Sequence, residues 1–393
     1  MEHSQRPYDL IVFGASGYTG TLIVKYLASL KHPTLKVAVA GRDPGKLQPV
    51  LAHYEKEHPE NSGVGLIEAD VTNQESLEQM AQQGNVVLTT VGPYEQFGHA
   101  VVDACVAQCT HYVDITGEPS FVSTVITNHH EQAKSKKLRV VNCCGFDSVP
   151  HDLGAYYVVK QLKDQPSIDL QGFVQAKGGI SGGTWHSAIH AMSQSLKPQH
   201  LPKQLPAGSG ERQVKRGKAS FRYDKRLRGW AIPLPTIDGS IVRRSARALE
   251  AYGADFRYAH FMKISSLVTV SLLGMGLGAV ALGSKWQKTR DALLKLRPQG
   301  EGPDAKTREN GWFRVTFFAD TPKGYLMAEV EGGEPGYHET SRWAAQCALL
   351  IATEEDTLPA NYGVITPAMA FGDALLERMQ DIGNTFRHQW IPK

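Results

Sequence analysis

A glycine turn near the start of the chain constrains the fold more than any other stretch of the sequence. The apolar segment 8–13 leads into Gly14-Ala15-Ser16-Gly17-Tyr18-Thr19-Gly20, and residues 21–27 follow with apolar side chains at helical spacing. A glycine turn that joins a strand to a helix in this way is typical of the phosphate-binding turn of a dinucleotide fold.

The three glycines of this turn suit a pyrophosphate for separate reasons. Gly14 permits the tight turn out of the strand, Gly17 lets the backbone approach the phosphates, and Gly20 lets the helix lie close to the sheet. The first N–H groups of that helix have no intrahelical partner, so they favour an anion. The spacing G-x-x-G-x-x-G is a variant of the usual G-x-G-x-x-G pattern. We prefer a dinucleotide site to the alternative, a glycine turn that binds no ligand. The residues predicted to bind the cofactor here are Gly14, Ser16, Gly17, Tyr18, Thr19 and Gly20.

The end of the second predicted strand indicates which dinucleotide binds. Strand 36–40 is followed by Arg42 and Asp43, and Lys46 comes one helical turn later. A carboxylate here would bind the ribose 2′-hydroxyl of NAD, whereas arginine suits the 2′-phosphate of NADP. Arg42 and Lys46 therefore predict NADP(H). Asp43 could be that carboxylate displaced by one position, but we expect it to be a helix N-cap ahead of Pro44.

Later strands extend the predicted site. Strands and helices alternate over residues 8–142, which specifies a parallel sheet. Asp70 ends the third strand, where it would contact adenine or cap the next helix, and the sequence leaves both roles open. Gly92 and Pro93 follow the fourth strand. Because ligands bind outside the carboxyl ends of parallel strands, these two residues should border the nicotinamide.

The chain is long enough for two domains. We predict a Rossmann domain over residues 1–160 and an α+β substrate domain over 161–362. A C-terminal helical segment, 363–393, is expected to pack back on the first domain. Segments 312–319 and 323–330 alternate with period two and should pair as antiparallel strands. The predicted fold class is α/β, with a Rossmann-type parallel sheet and a second α+β domain that contains an antiparallel sheet.

Composition excludes several classes of protein. A net charge of +3 with 21% charged residues gives no argument for nucleic-acid binding. The five cysteines have no C-x-x-C spacing and are odd in number, so they indicate reduced thiols and neither a disulfide framework nor a metal site. Residues 1–7 lack the apolar core of a secretory signal. We therefore expect a cytoplasmic protein without a metal ion.

Two stretches suggest contact with a lipid surface. Residues 202–228 carry nine basic and two acidic side chains, which form either a solvated loop or a patch for phospholipid head groups or a phosphopantetheine carrier. Residues 264–284 carry no charge. Basic residues occur on both flanks of this stretch, so they do not show the difference in positive charge between the two ends that orients a membrane span. We therefore favour insertion into a membrane surface, or an apolar helix covered by protein, over a membrane span.

Taken together, the sequence resembles the saccharopine dehydrogenase-like oxidoreductases, and in particular the branch with the mycobacterial trans-acting enoyl reductases. The resemblance covers nearly the whole chain and is weakest over 200–300. Its motifs are Gly14–Gly20, Ala40-Gly41-Arg42, Thr90–Tyr94, Tyr112–Glu118, Gly145–Gly154, the 178–184 turn and Thr366-Pro367-Ala368. The resemblance implies an NADP-dependent oxidoreductase in lipid metabolism that reduces an enoyl or carbonyl group on a lipid or polyketide chain held by a carrier. A homodimer is compatible with it.

Catalytic residues are less well defined by the sequence. Enoyl reduction needs a group that stabilises an enolate and a group that protonates it. The candidates are Tyr94, Asp147 and His186, for which packing, helix capping and a structural histidine are the competing roles. Tyr156 and Lys160 match the Tyr-x-x-x-Lys pair of short-chain dehydrogenases, a short pattern that we treat as accidental. Two other functions stay open: an NADP-binding scaffold at a membrane, and an amino-acid-type dehydrogenase with a soluble substrate.

Overall fold

The computed structural model describes residues 6–32, 34–58, 64–162, 165, 167–178, 189, 212–296, 302–321 and 324–392. The chain divides into two compact units. The first comprises Met1–Val149 and Tyr337–Arg378, and the second comprises Pro150–Gly336 and Met379–Lys393. His186, one of the catalytic candidates, lies outside the described residues.

The described strands, in chain order, are β1 (Tyr8–Phe13), β2 (Val37–Gly41), β3 (Val64–Glu68), β4 (Gly84–Thr89), β5 (His111–Asp114), β6 (Arg139–Val141), β7 (Ser167–Lys177), β8 (Gln213–Arg216), β9 (Arg222–Asp224), β10 (Gly229–Pro233), β11 (Asp255–Ile264), β12 (Trp312–Thr321), β13 (Gly324–Gly332), β14 (Gly363–Ile365) and β15 (Thr385–Pro392). The described α-helices are α1 (Tyr18–Ser29), α2 (Pro44–Glu57), α3 (Gln74–Gln82), α4 (Tyr94–Ala107), α5 (Pro119–Ser135), α6 (Val149–Gln161), α7 (Asp238–Ala248), α8 (Leu267–Gly283), α9 (Gln287–Lys295), α10 (Ala305–Glu309), α11 (Thr340–Glu354), α12 (Pro367–Phe371) and α13 (Asp373–Asp381).

The first unit is built on a seven-stranded sheet in the order β14-β6-β5-β4-β1-β2-β3. Each neighbouring pair in this sheet is parallel. The central strand β1 is apolar because it is covered on both faces, and its Leu10, Ile11 and Val12 are fully buried. The parallel Rossmann-type sheet that the sequence predicts is therefore present.

Helix α11 changes the predicted division of the chain. The sequence assigns it to the substrate domain, but it belongs to the first unit. Eleven of its fifteen residues are buried. Trp343 is among the largest fully buried side chains, and Gln346 Nε2 donates to the hydroxyl of Tyr26 on α1 at 2.6 Å. The boundary that the sequence places at residue 160 falls in α6, whereas the compact units divide after Val149.

The second unit is built on a mixed sheet in the order β15-β13-β12-β7-β11-β10-β9, with β8 also paired to β11. Strands β12 and β13 pair antiparallel, as their alternating patterns predict. Strand β11 runs parallel to both β7 and β8. Parallel neighbours need long connections, so these pairs are remote in sequence. The antiparallel sheet of the prediction therefore contains a parallel part.

The C-terminal segment differs from the predicted helix over 363–393. Only α12 and α13 are helical, while 363–365 form β14 of the first unit and Thr385–Pro392 form β15 of the second. Strand β15 pairs antiparallel with β13 along eight residues. Its buried Phe386 and mostly exposed neighbours suit an edge strand. This pairing satisfies the backbone groups of β13 that would otherwise lie at an open edge.

Candidate functional site

The glycine turn lies at the carboxyl end of β1 and opens helix α1. Gly14 has φ +83°, a left-handed conformation that favours glycine, and its N–H donates to the Ala40 carbonyl at 2.9 Å. A Cβ atom at Gly20 would lie 2.2 Å from the Gly14 carbonyl oxygen, so the helix can start this close to the turn only with glycine there. The sequence predicts both features.

The start of α1 fits the phosphates of a dinucleotide. Gly17 is the N-cap, and no side chain caps the helix there. Ser16 is exposed and Thr19 is half-buried, so both are placed at the surface of the turn. Tyr18 is also half-buried, and its ring packs edge-on against Tyr337 with the centroids 4.7 Å apart. A helix N-terminus with backbone N–H groups and no side-chain cap favours an anionic ligand.

Asp43, which follows β2, takes the capping role predicted from the sequence. Asp43 is the N-cap of α2, its side chain accepts from the Lys46 backbone N–H at 3.2 Å, and Pro44 opens the helix. This capping role confirms the interpretation of Asp43. Arg42, which precedes it, is exposed at the carboxyl edge of the sheet. Lys46 Nζ lies 3.7 Å from Asp43 Oδ2, so its charge is shared with that carboxylate.

Asp70 lies two residues after the end of β3 and does not cap the following helix. The N-cap of α3 is Asn73. Asp70 Oδ1 instead accepts from the backbone N–H and the hydroxyl of Thr72, both at 2.8 Å. These bonds, with a smaller contribution from the charge of Arg42, lower the pKa of Asp70. Asp70 and Arg42 are therefore close enough to interact, with the arginine presented at the end of β2.

The turn after β4 contains Gly92 and Pro93 and leads directly into α4. The Gly92–Pro93 peptide bond is cis, and Pro93 is the residue before the first turn of the helix. The Glu118 carboxylate accepts from the backbone N–H groups of Tyr94 and Glu95 at 3.1 and 2.9 Å. A carboxylate at a helix N-terminus stabilises the helix and fixes this turn. The turn after β5 thus holds the turn after β4.

Tyr94 is buried under this turn. Its hydroxyl donates to the Thr89 carbonyl at 3.1 Å, and its ring packs against Phe121 with the centroids 5.6 Å apart. Burial, followed by the charge of Asp114, raises the pKa of Tyr94 well above its ordinary value. A hydroxyl engaged inside the unit suits packing and not proton donation. This placement matches the packing role weighed against catalysis in the sequence.

Asp114 organises the carboxyl ends of β5 and β6. Its carboxylate is fully buried and accepts from Tyr112 Oη at 2.9 Å, Asn142 Nδ2 at 2.6 Å, Cys143 N at 3.0 Å and Thr116 N at 3.1 Å. Burial raises its pKa to about 6, and the four bonds oppose that rise. The sequence does not reveal this role of Asp114, because its partners lie in β5, in the turn after β5 and in the turn after β6.

Asp147 follows β6 and is half-buried. A Cβ atom at Gly117 would lie 2.9 Å from Asp147 Oδ2, so this carboxyl packs directly against the backbone of the turn after β5. Asp147 therefore lies at the same carboxyl edge as the glycine turn, Arg42 and the Gly92–Pro93 turn. This edge is where a doubly wound sheet binds its ligand.

The parallel sheet, its glycine turn and the arginine after β2 define a dinucleotide-binding protein. A family model described as the saccharopine dehydrogenase NADP-binding domain matches residues 10–141. Three curated relatives align over nearly their whole length. A saccharopine dehydrogenase-like oxidoreductase of Rattus norvegicus is 32% identical and a trans-acting enoyl reductase of Mycobacterium ulcerans 31%, each over 98% of both chains. A lipid droplet localized protein of Caenorhabditis elegans is 31% identical over 97% of this chain and 98% of its own.

The chain belongs to the saccharopine dehydrogenase-like oxidoreductase family. It is an NADP-binding oxidoreductase. The described residues fit this cofactor, since the turn offers backbone N–H groups to a pyrophosphate and Arg42 a guanidinium to a 2′-phosphate. Apo saccharopine dehydrogenase (L-Glu forming) from Saccharomyces cerevisiae has a similar fold, with a TM-score of 0.55 and 12% identity over 97% of this chain and 99% of that one.

Proposed function

We propose that this oxidoreductase uses NADPH to reduce the double bond of an α,β-unsaturated acyl group on a lipid or polyketide chain held by a carrier. The observation that carries the proposal is the carboxyl edge of the first sheet, where the glycine turn, Arg42 and the Gly92–Pro93 turn all lie. The M. ulcerans relative, named as a trans-acting enoyl reductase, supports an enoyl group over a ketone.

In this proposal each residue of the edge has a separate task. NADPH supplies a hydride to the β-carbon when it is bound. The turn at Gly14–Gly20 would hold the pyrophosphate, and the guanidinium of Arg42 would bind the 2′-phosphate. The Gly92–Pro93 turn, fixed by Glu118, sets one wall beside the nicotinamide. Asp147 is the residue that we assign to deliver the proton to the α-carbon, because its carboxyl lies at this edge.

The test has two arms: oxidation of NADPH with an enoyl thioester of pantetheine or with a ketoacyl thioester, and reduction of NADP⁺ with saccharopine, a secondary amine that can only be oxidised. We expect turnover with the enoyl thioester and formation of the saturated product. Asp147→Asn should lower kcat at least tenfold while NADPH affinity stays unchanged. Cofactor binding without turnover of any of the three substrates, in either arm, would favour the scaffold. Turnover with saccharopine alone would favour an amino-acid-type dehydrogenase.

The uncharged stretch 264–284 supports a lipid substrate. Its helix, α8, spans 17 residues, and the described part of the chain buries none of them. Val268, Leu272 and Met275 are 68%, 61% and 64% exposed. Among the described helices, none has both the length and the apolar character to cross a bilayer. We propose that α8 lies in a lipid surface, with Lys285 and Trp286 at the level of the head groups.

The basic side chains in the described part of the run 202–228 fall into two groups, one packed against the sheet and one exposed. Arg222 and Arg226 pair with the buried carboxylate of Asp224 at 3.3 and 3.0 Å, and their guanidinium groups lie over Phe261 and Phe318. These two arginines are part of the packing of the sheet. The side chains that stay exposed are Lys215, Arg216, Lys218, Lys225 and Arg228. These five supply the charge that we propose attracts anionic head groups.

Flotation with lipid vesicles tests this lipid-surface proposal. The wild type should float with phosphatidylcholine vesicles and more completely when phosphatidylserine is included. Leu272→Ser combined with Met275→Ser should weaken binding to both by more than about tenfold, because two apolar side chains lose their burial in lipid. Lys215→Ala with Lys218→Ala should affect only the anionic vesicles. Leu30→Ser, at an exposed leucine of the first unit, is the control. Equal flotation of the wild type and the Leu272/Met275 variant would contradict the proposal.

A further inference from the structure

Two histidines and an aspartate converge inside the second unit, apart from the predicted cofactor residues. His151 lies in the first turn of α6, Asp238 opens α7, and His260 lies in the middle of β11. Their exposed fractions are only 2%, 3% and 6%. The three residues come from three separate elements, and burial of an acid among imidazoles is costly unless it is compensated.

The spacing of the three side chains suits a small cation. One ligand atom can be chosen from each residue so that all three lie within 4.8 Å of one another. His151 Nδ1 is 3.5 Å from Asp238 Oδ1, and His260 Nε2 is 3.6 Å from Asp238 Oδ2. Both separations are longer than ordinary N–H···O hydrogen bonds. They are close to the separation of about 3.3 Å between donor atoms around a tetrahedral zinc ion.

Neighbouring hydroxyls orient two of these groups. The hydroxyl of Thr236 donates to Asp238 Oδ2. The phenol of Tyr258 contacts His260 Nδ1 at 3.2 Å, which leaves Nε2 as the nitrogen that faces Asp238. Histidine ligands of metal ions characteristically donate their other ring N–H to such an outer partner. A metal at Nε2 requires Nδ1–H to donate to the phenol oxygen.

The charges around the cluster have opposite effects on a cation. The positive charge of Arg243 acts on His260 and opposes a cation. The carboxylate of Asp238 is the group that compensates this charge.

We propose that His151, Asp238 and His260 bind one divalent transition-metal ion of the zinc class. Two imidazole nitrogens and one carboxylate oxygen are a donor set that zinc accepts with water as fourth ligand. Such an ion joins the starts of α6 and α7 to β11, so its role is to stabilise the second unit. This inference does not depend on the proposed reaction.

Metal analysis of the full-length protein tests the site. The protein is purified without an affinity tag from zinc-supplemented cells and passed through chelator-free buffer. We expect about one zinc per chain. After the zinc is removed, Co²⁺ alone should give the visible absorption bands of a four- or five-coordinate ion and should raise Tm.

Matched variants distinguish the site from adventitious binding. His260→Ala should weaken Co²⁺ binding at least 100-fold, and the conservative Tyr258→Phe about tenfold through its outer contact. His388→Ala replaces an exposed histidine of the same unit and should change neither. A wild type without stoichiometric zinc and without Co²⁺ bands would overturn the proposal. Equal Co²⁺ binding by the wild type and by both Tyr258→Phe and His260→Ala would also overturn it.

Discussion

Helices α1 and α8 are both rich in apolar residues, but they differ in what covers them. In α1, one face that includes Gly20, Ile23 and Leu27 is buried. In α8, apolar residues occur on every face, and none is buried by the described residues. A single apolar stripe implies a partner within the fold, because the opposite face is left to water. A helix that is apolar all round needs a different partner, which we propose is lipid.

Substitution of a glycine by alanine should have the most different effects on stability in the two helices. A Cβ atom at Gly20 would meet the backbone at 2.2 and 2.8 Å, whereas at Gly274 of α8 it would meet nothing within 4 Å. We expect Gly20→Ala to lower the free energy of unfolding by about 3 kcal/mol through overpacking and to weaken NADPH binding. Gly274→Ala should raise helix stability by up to about 1 kcal/mol. Urea unfolding and NADPH titration measure both effects, and effects of the same sign would contradict the contrast.

The buried carboxyl of Asp114 gives a smaller effect that belongs to the first unit. Its pKa is about 6 in the folded protein, above the ordinary value of 3.8. The folded state therefore holds this proton more tightly, and the stability contributed by Asp114 is lost as pH rises from about 4 to above 6. The loss is on the order of 3 kcal/mol at most.

Asp114→Asn tests this pH dependence. The variant loses hydrogen-bond capacity, so it should be less stable than the wild type at pH 4. Its deficit should shrink as pH rises to 7, because the amide carries no charge to bury. Urea unfolding of both proteins across this pH range is the measurement. A deficit that stays constant or grows would show that Asp114 is already ionised in the folded protein at pH 4.

The sequence could predict the features that are formed by residues close together in the chain. The turn at Gly14–Gly20 and the N-cap at Asp43 depend only on neighbouring residues, so the local sequence pattern was sufficient to predict both. Helix α11 has an equally clear helical pattern. The sequence alone does not indicate that this helix packs on the first unit, because its partner α1 lies more than 300 residues earlier in the chain.

The features that the sequence did not predict depend on contacts between residues that are far apart in the chain. Strand β15 was predicted as part of a helical segment, and its partner β13 lies about 60 residues earlier in the chain. His151, Asp238 and His260 carry no spacing signal, because a helix start, a second helix start and a strand centre bring them together only in the fold. The same limit applies to the substrate, since no local motif of the second unit specifies it.

Cofactor selection by Arg42 is the central claim, and it is tested most directly by the dissociation constants of NADPH and NADH for the wild type and Arg42→Ala. We expect the wild type to prefer NADPH. Arg42→Ala should weaken NADPH binding by about 10- to 100-fold, the worth of a charge-assisted hydrogen-bond pair, and leave NADH binding unchanged. Equal affinity of the wild type for both cofactors, with no effect of Arg42→Ala, would contradict the account.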